Sequence, residues 1–336
     1  MVVCCYNSVD RLPMTLKHLA QQRVPDDLPW EVIVVDNAST DATATVAQQL
    51  WHEFGSTGSF RVVAQSIPGL TAAREMGEQV AKYAFVVFCD DDNWLADDYV
   101  STAYEALRSR PRAGLIGGQG SPVIAGDPPP WFERYARSYA LGPQGVASGD
   151  VSEAKGYVYG AGFVLRRSAW DDLRRRGFVS QLTGRKGTAL SSSEDRELCY
   201  ALRLLGYEVH YVEDLRFQHE IPARRLSWNY FLKMVEMANR TTPVMDAYLD
   251  ALRGMPPLEP AAARRIWWQR CGAIAFAAIR RPRALLVATQ RHRVTHGAVQ
   301  WRRWRGAWTG WRQVGSRYAD IQAAVHALRK PALPPD

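Results

Sequence analysis

The sequence is short of the residues that several common designs need. It has five cysteines in 336 residues, at Cys4, Cys5, Cys89, Cys199 and Cys271, an odd number with no C-x-x-C pair. That counts against a disulfide framework and a cysteine-based zinc site. Four of the five lie in apolar or helical stretches, where buried thiols are ordinary. A reducing compartment, and a cytoplasmic chain, are the expectation. No run reaches the roughly 18 apolar residues of a spanning helix. The longest C-terminal candidate, Cys271 to Ile279, is bounded by Arg270 and Arg280. Met1 leads straight into Val2-Val3-Cys4-Cys5 without the basic stretch of a secretory leader. Glycine is missing from Cys4-Cys5-Tyr6-Asn7-Ser8, where a phosphate-cradling loop would need it. No internal repeat occurs.

Acid is scarce at one end. Residues 256–336 hold 15 Lys/Arg against 3 Asp/Glu, a local charge of +12, while the remainder carries −4 and the whole chain +8. The basicity is therefore local. An apolar fraction of 47% and a charged fraction of 23% are those of a globular protein. The length allows one large domain with an appendage, or two modest domains.

The first half alternates apolar runs with helical patterns. Strands are expected at Val2–Cys5, Glu31–Val35, Phe60–Ala64, Ala84–Cys89 and Ala113–Gly118. Helices are expected at Leu12–Gln22, Ser39 or Thr40 to Leu50, Gly69–Tyr83 and Ala96–Ser109. This pattern predicts an α/β fold, a mostly parallel Rossmann-like sheet with helices on both faces. Ligands of such sheets bind beyond the carboxyl ends of the strands. Further on, Tyr157–Leu165 reads as a strand broken by Gly160 and Gly162, and residues 183–193 as a Gly- and Ser-rich loop. Glu194–Leu205 reads as a helix, Glu208–Val212 as a strand, and Met255-Pro256-Pro257 as a linker.

The acidic triplet Asp90-Asp91-Asp92 follows the apolar run Ala84–Cys89. Three adjacent carboxylates repel one another unless a cation or solvent intervenes. Mg²⁺ is held by one or two carboxylates plus substrate phosphates, and acids two apart on extended chain point the same way. The alternative is a solvated turn entering the next helix. Asp36 ends a second apolar strand, in a segment (Asp36-Asn37-Ala38-Ser39-Thr40-Asp41) that also suits a helix-entry turn. Glu194-Asp195 opens a helix, where acids favour the helix dipole or serve as a base in a cleft. His219 is either structural or a third ligand to a metal at the triplet. Arg74 is either a surface residue or a diphosphate clamp.

Taken together, these pieces resemble the family 2 glycosyltransferases of the GT-A fold. The resemblance rests on Cys5-Tyr6-Asn7, VVDNASTD at 34–41, LTAARE at 70–75, FCDDDNWL at 88–95, GAGFVLRR at 160–167, SSEDRELCYALRLLGY at 192–207 and FQHEIP at 217–222. It covers residues 1–235 and implies an inverting transfer from a nucleoside-diphosphate sugar, a UDP-sugar favoured, to an acceptor hydroxyl. The implied setting is cell-surface polysaccharide or glycolipid assembly, with a glycan or lipid-linked acceptor. By resemblance, Asn7, Asp36, Arg74, Asp90 and Asp91 are nucleotide-sugar contacts, Asp91 otherwise holding the turn. Asp92 and His219 would ligate Mg²⁺ or Mn²⁺, and Asp195 beside Glu194 would be the catalytic base. The membrane-embedded polymerases of the family carry Q-x-x-R-W; here that place reads Arg224-Arg225-Leu226-Ser227-Trp228, which implies a single-addition enzyme. A nucleotidyltransferase, or a non-catalytic sugar- or lipid-binding protein on the same scaffold, is the alternative.

The expected domains are 1–240 (a nucleotide-sugar half about 1–118 and an acceptor half about 119–240), a linker at 241–260, and a basic helical region at 261–336. Six of the twelve tryptophans fall in that last region, interleaved with arginine. Such a surface suits peripheral contact with an anionic membrane, or else its tryptophans pack on the catalytic part. Nucleic acid is not an expected partner.

Overall fold

The structure is a computed structural model that describes residues 1–56, 58–182, 193–280 and 294–329. Four apolar runs form a parallel set: β1 (Val2–Cys5), β2 (Glu31–Asn37), β3 (Ser59–Gln65) and β4 (Phe85–Asp90). Between them run α1 (Leu12–Ala20), α2 (Thr43–Glu53) and α3 (Leu70–Val80). Val32, Ile33, Val34 and Val35 are all fully buried, as in a strand covered on both faces. Side-chain alternation divides them: Ile33 and Val35 join Val2 in one core, Val32 and Val34 join Val3 in the other.

The sheet continues with β5 (Asn93–Leu95), α4 (Tyr99–Arg108), β6 (Ala113–Val123), α5 (Phe132–Tyr135), β7 (Gly149–Asp150), β8 (Val164–Arg166) and α6 (Arg167–Arg175). Then come α7 (Glu194–Leu204) and β9 (Glu208–Glu220). The strand order is β3-β2-β1-β4-β8-β6-β9-β5, with β7 on β9. Strands β8, β5 and β7 pair antiparallel to their neighbours, so the sheet is mixed at that end. β6 and β9 both outrun their expected lengths. They pair in parallel through two register irregularities, and at Gly118 a Cβ would stand 1.9 Å from the Leu215 carbonyl oxygen. The apolar pattern stops at the second irregularity, between Gly117 and Gln119, which is why only the first half of either strand is visible in the sequence. The stretch 157–165 keeps only β8, because Gly162 (φ +67) sits in left-handed backbone against the Tyr99 hydroxyl. Of the loop expected at 183–193, all but Ser193 lies outside the described residues.

The chain then forms α8 (Trp228–Arg240), α9 (Thr242–Leu252), α10 (Pro260–Ile279), α11 (His296–Val314) and α12 (Tyr318–Ala327). The stretch expected as a linker thus holds α9, which buries Val244, Met245, Ala247, Tyr248 and Ala251. Short apolar spacing after Thr242-Pro243 packs it on α7, and only residues 253–259 are left to connect α9 to α10. α11 lies close along α8 because Gly306 and Gly310 have no side chain. A Cβ there would meet the Glu236 and Arg240 carbonyl oxygens at 2.2 and 2.1 Å. Buried Glu236 receives Arg302 at 2.6 Å, Arg240 at 3.2 Å and Arg305 at 3.3 Å, which hold its carboxyl below the usual range against the opposing effect of burial. Trp311 is buried against Tyr318 at 4.8 Å. Among the described residues no helix is long and apolar enough to cross a membrane.

Candidate active site

The candidate site lies beyond the carboxyl ends of β2, β1 and β4. In the register, Asp36 is opposite Cys5 and Asp90 opposite Cys4, so the two acids flank the end of β1. The loops there are latched together. Asn7 accepts the Thr40 N–H on its side-chain oxygen at 2.8 Å and donates its own N–H to Ser39 Oγ at 3.0 Å; Ser8 donates its backbone N–H to Thr43 Oγ1 at 2.8 Å. Asn7 (φ 49) and Ala38 (φ 56) are both left-handed. Asparagine tolerates that region, whereas at alanine it costs about 1–3 kcal/mol and is found where surroundings impose it, often at functional sites. The Asp36 carboxylate accepts a long bond from Ser39 N–H, at 3.4 Å.

The triplet divides three ways. Asp91 turns toward α1: Ser8 Oγ donates to its Oδ2, Arg11 bonds the same oxygen at 2.6 Å, and Thr15 Oγ1 donates to its backbone carbonyl at 2.9 Å. Burial, with Asp92 beside it, raises its pKa even so. Through that oxygen Asp91 ties the turn to α1. Asp90 faces the Arg74 guanidinium at 3.9 Å.

Asp92 is buried and points the other way, to His219 and Arg225. Pairing of Asn93 with His219 between β5 and β9, and the Glu220 N–H bond to the Asp92 carbonyl at 2.9 Å, bring the strand ends together. His219 Nε2 is 3.6 Å from Asp92 Oδ2, and its Nδ1 lies 2.9 Å from the Tyr139 carbonyl. Only an N–H can face a carbonyl there, so Nε2 is left toward Asp92. Burial opposes charging this ring, but Asp92 outweighs it and raises the pKa above 6.5. Arg225 Nη1 is 2.9 Å from Asp92 Oδ2 and 3.4 Å from His219 Nε2.

Arg74, on α3, lies over the rings of Phe163 and Phe88 at 5.1 and 5.9 Å. α3 itself is set by Asn37, whose side-chain oxygen accepts the Gly69 N–H at 2.7 Å. Across from Arg74 stands Asp195 at the start of α7. Gly160 lies between them: a Cβ there would be 3.1 Å from Asp195 Cβ and 3.2 Å from Arg74 Nη2. Asp195 Oδ2 accepts the Gly160 N–H at 2.8 Å, and Oδ1 accepts the Arg196 N–H at 2.8 Å. Glu194 lines an apolar pocket with Arg74, Phe88 and Phe163. Asp90, Arg74 and Asp195 are therefore brought together, Asp92 and His219 form a second pair next door, and Asp36 and Asn7 stand one strand further along.

Two neighbours carry no motif that sequence reasoning singled out. Arg225 falls in Arg224-Arg225-Leu226-Ser227-Trp228, a stretch compared only with Q-x-x-R-W. Lys155 lies 3.6 Å from the Tyr159 ring centre and donates to Gln144 Oε1 at 2.8 Å; burial lowers its pKa to about 8, partly offset by Asp195. A separate group, Asp150, Glu208 and His210, brings ligand atoms within 4.8 Å of one another at the opposite end of β9. There Arg112 pairs with Glu208, Ser152 bonds Asp150 and His210 Nε2 lies 2.8 Å from Glu208, while the buried His210 Nδ1 has no hydrogen-bond partner among the described residues.

A family model described as glycosyl transferase family 2 matches residues 1–174. The protein named glycosyltransferase EpsH, from Bacillus subtilis, is 31% identical over 100 residues, 30% of this chain and 27% of that protein. The cholesterol galactosyltransferase of Borreliella burgdorferi is 26% identical over 113 residues, 34% of this chain and 29% of that one. The chain thus spans under a third of the length of these curated relatives. The crystal structure of Staphylococcus aureus TarS superposes with a TM-score of 0.50 at 17% identity, covering 75% of this chain and 42% of that one, a likeness of fold alone.

Proposed function

This chain belongs to glycosyl transferase family 2, and from that premise we propose that it moves a sugar from a nucleoside-diphosphate sugar to an acceptor hydroxyl, inverting the anomeric carbon. The observation that carries the reading is the meeting of Asp90, Arg74 and Asp195, with Gly160 against both of the last two. In this reading residues 1–118 hold the donor and 119–240 the acceptor. Asp36 and Asn7 face the nucleoside base, and Asp90 the ribose. Arg74, held flat on Phe88 and Phe163, offers paired hydrogen bonds to the diphosphate. Asp195 takes the proton of the attacking hydroxyl on a carboxylate oxygen held by the Gly160 or Arg196 N–H. Glu194, beside it and lining the pocket with Arg74, is the second acid of the catalytic pair. Asp91 holds the turn.

Asp92 and His219 suit a divalent cation. Their donor atoms converge from the turn between β4 and β5 and from β9, and the Tyr139 carbonyl fixes the imidazole with Nε2 inward, as carbonyls do for ligating histidines. Arg225 must leave Asp92 for a cation to bind there. Mg²⁺ or Mn²⁺, when bound, would neutralise charge developing on the leaving diphosphate. The acceptor proposed is a glycan or lipid-linked hydroxyl in surface polysaccharide or glycolipid assembly.

Asp195→Asn tests the reading. Transfer from a panel of nucleotide sugars should fall at least about a hundredfold while donor binding survives, because the substitution keeps shape and removes the base. Near-normal transfer would remove Asp195 from this role.

A further inference from the structure

We propose that the outer face of α10 docks on an anionic lipid membrane. The helix has apolar residues on two opposite faces. Ala263, Trp267, Cys271 and Ile274 point inward and join the core shared with α11 and α12. On the other side Trp268 is 67% exposed, Phe276 56% and Ile279 70%. At about 100° per residue these three, with Gly272 between, fall within an arc of about 80° and span roughly 16 Å of the axis. A helix apolar all round is ordinarily covered on all sides, by protein or by lipid. Among the described residues protein covers one side only.

Charge selects the cover. α10 contains Arg264, Arg265 and Arg270 and no acid, and Arg280 follows it. Arg270 reaches inward to Asp246 at 4.0 Å, while Arg264, Arg265 and Arg280 are exposed at the two ends of the apolar stripe. A two-fold contact with a second copy would set these arginines against their own counterparts. An anionic bilayer instead supplies headgroup phosphates for the arginines, an interface for the Trp268 indole, and acyl boundary for Phe276 and Ile279. This surface is separate from the donor and acceptor residues, and its occupation does not depend on the transferase reading.

The full chain would be co-sedimented with phosphatidylcholine vesicles, with and without phosphatidylglycerol. The wild type is expected to pellet with the anionic vesicles alone, and less so as salt is raised. Trp268→Ser with Phe276→Ser, both at exposed positions, should weaken partitioning by about tenfold or more, and Arg264→Gln with Arg265→Gln should remove most of the salt dependence. Nucleotide-sugar binding by these variants should match the wild type, which separates loss of docking from loss of fold or of the transferase site. Absence of wild-type binding, or equal pelleting of the Trp268/Phe276 variant, would overturn the proposal. So would a dimer in gel filtration that the same variant abolishes, which would hand the face to a second copy.

Discussion

Replacing Arg225 with glutamine should make the Asp92 site a better cation site in the absence of any nucleotide. Arg225 Nη1 stands 2.9 Å from Asp92 Oδ2, with only 17% and 5% of the two side chains exposed. Opposite charges about 4 Å apart attract by about 4 kcal/mol at an effective dielectric near 20. Arginine recovers part of that in water when it steps aside, so its net competition with an incoming cation is about 1.4–2.8 kcal/mol, or roughly ten- to a hundredfold in affinity. Arg225→Gln should therefore bind Mn²⁺ about ten- to a hundredfold more tightly, read by calorimetry or by the spin-resonance signal of free Mn²⁺. Without metal the variant should be less stable, because removing one partner of a buried pair costs about 3–5 kcal/mol. Added Mn²⁺ should then raise its melting temperature more than it raises that of the wild type. Unchanged Mn²⁺ affinity in a folded variant would refute the competition and leave Arg225 a structural partner of Asp92.

Other outcomes rest on the same geometry. Gly160→Ala places a methyl 3.1 Å from Asp195 Cβ and 3.2 Å from Arg74 Nη2, so both must shift. Each neighbour need give only a few tenths of an ångström, so transfer should drop by about tenfold or less in steady-state kinetics, a full ångström costing about a hundredfold; an unaffected rate would show that the separation is not critical. Glu197 is buried, and burial outweighs its bonds from Ser180, Gln181 and Tyr248 to raise its pKa from 4.5 to about 7. A carboxyl that keeps its proton longer when folded weakens the fold as it ionises. Stability should decline by about 3 kcal/mol as pH rises from about 4.5 to about 7. Glu197→Gln has no charge to bury, and urea unfolding near pH 5 and pH 8 should show a smaller decline in the variant than in the wild type, the remainder coming from other buried carboxyls such as Asp246, which burial raises to about 6. Equal declines would exclude Glu197 as its source.

Much of the donor side was legible because its signals are local. Val32–Val35 and Val86–Cys89 are too apolar to be anything but covered strands, and a carboxylate ending each must meet solvent or a ligand. The Asp92 side was legible only in part. His219 was a candidate, but its approach to Asp92 depends on β5, three residues long, pairing with the far end of β9. Pairing across so many residues leaves no periodicity to read. Arg225 was invisible for the same reason: an arginine beside a proline-led turn looks like any surface residue until the fold sets it on a buried acid. The linker expectation rests on Met255-Pro256-Pro257, which does join α9 to α10, but it extends back to residue 241 over a helix.

By itself the sequence determined the alternation of the main strands and helices up to about residue 118, the acids at the strand ends, and the concentration of arginine and tryptophan near the C-terminus. These come from hydrophobic pattern and charge, which act over a few residues. Tertiary structure decided the division of labour within the triplet, since neighbouring carboxylates are alike until different partners reach them: Arg11 for Asp91, Arg74 for Asp90, and His219 with Arg225 for Asp92. It also decided which tryptophans are core and which are surface. Gly306 and Gly310 bring α11 down onto α8 with Trp311 buried further along α11, and leave Trp268 facing out on α10.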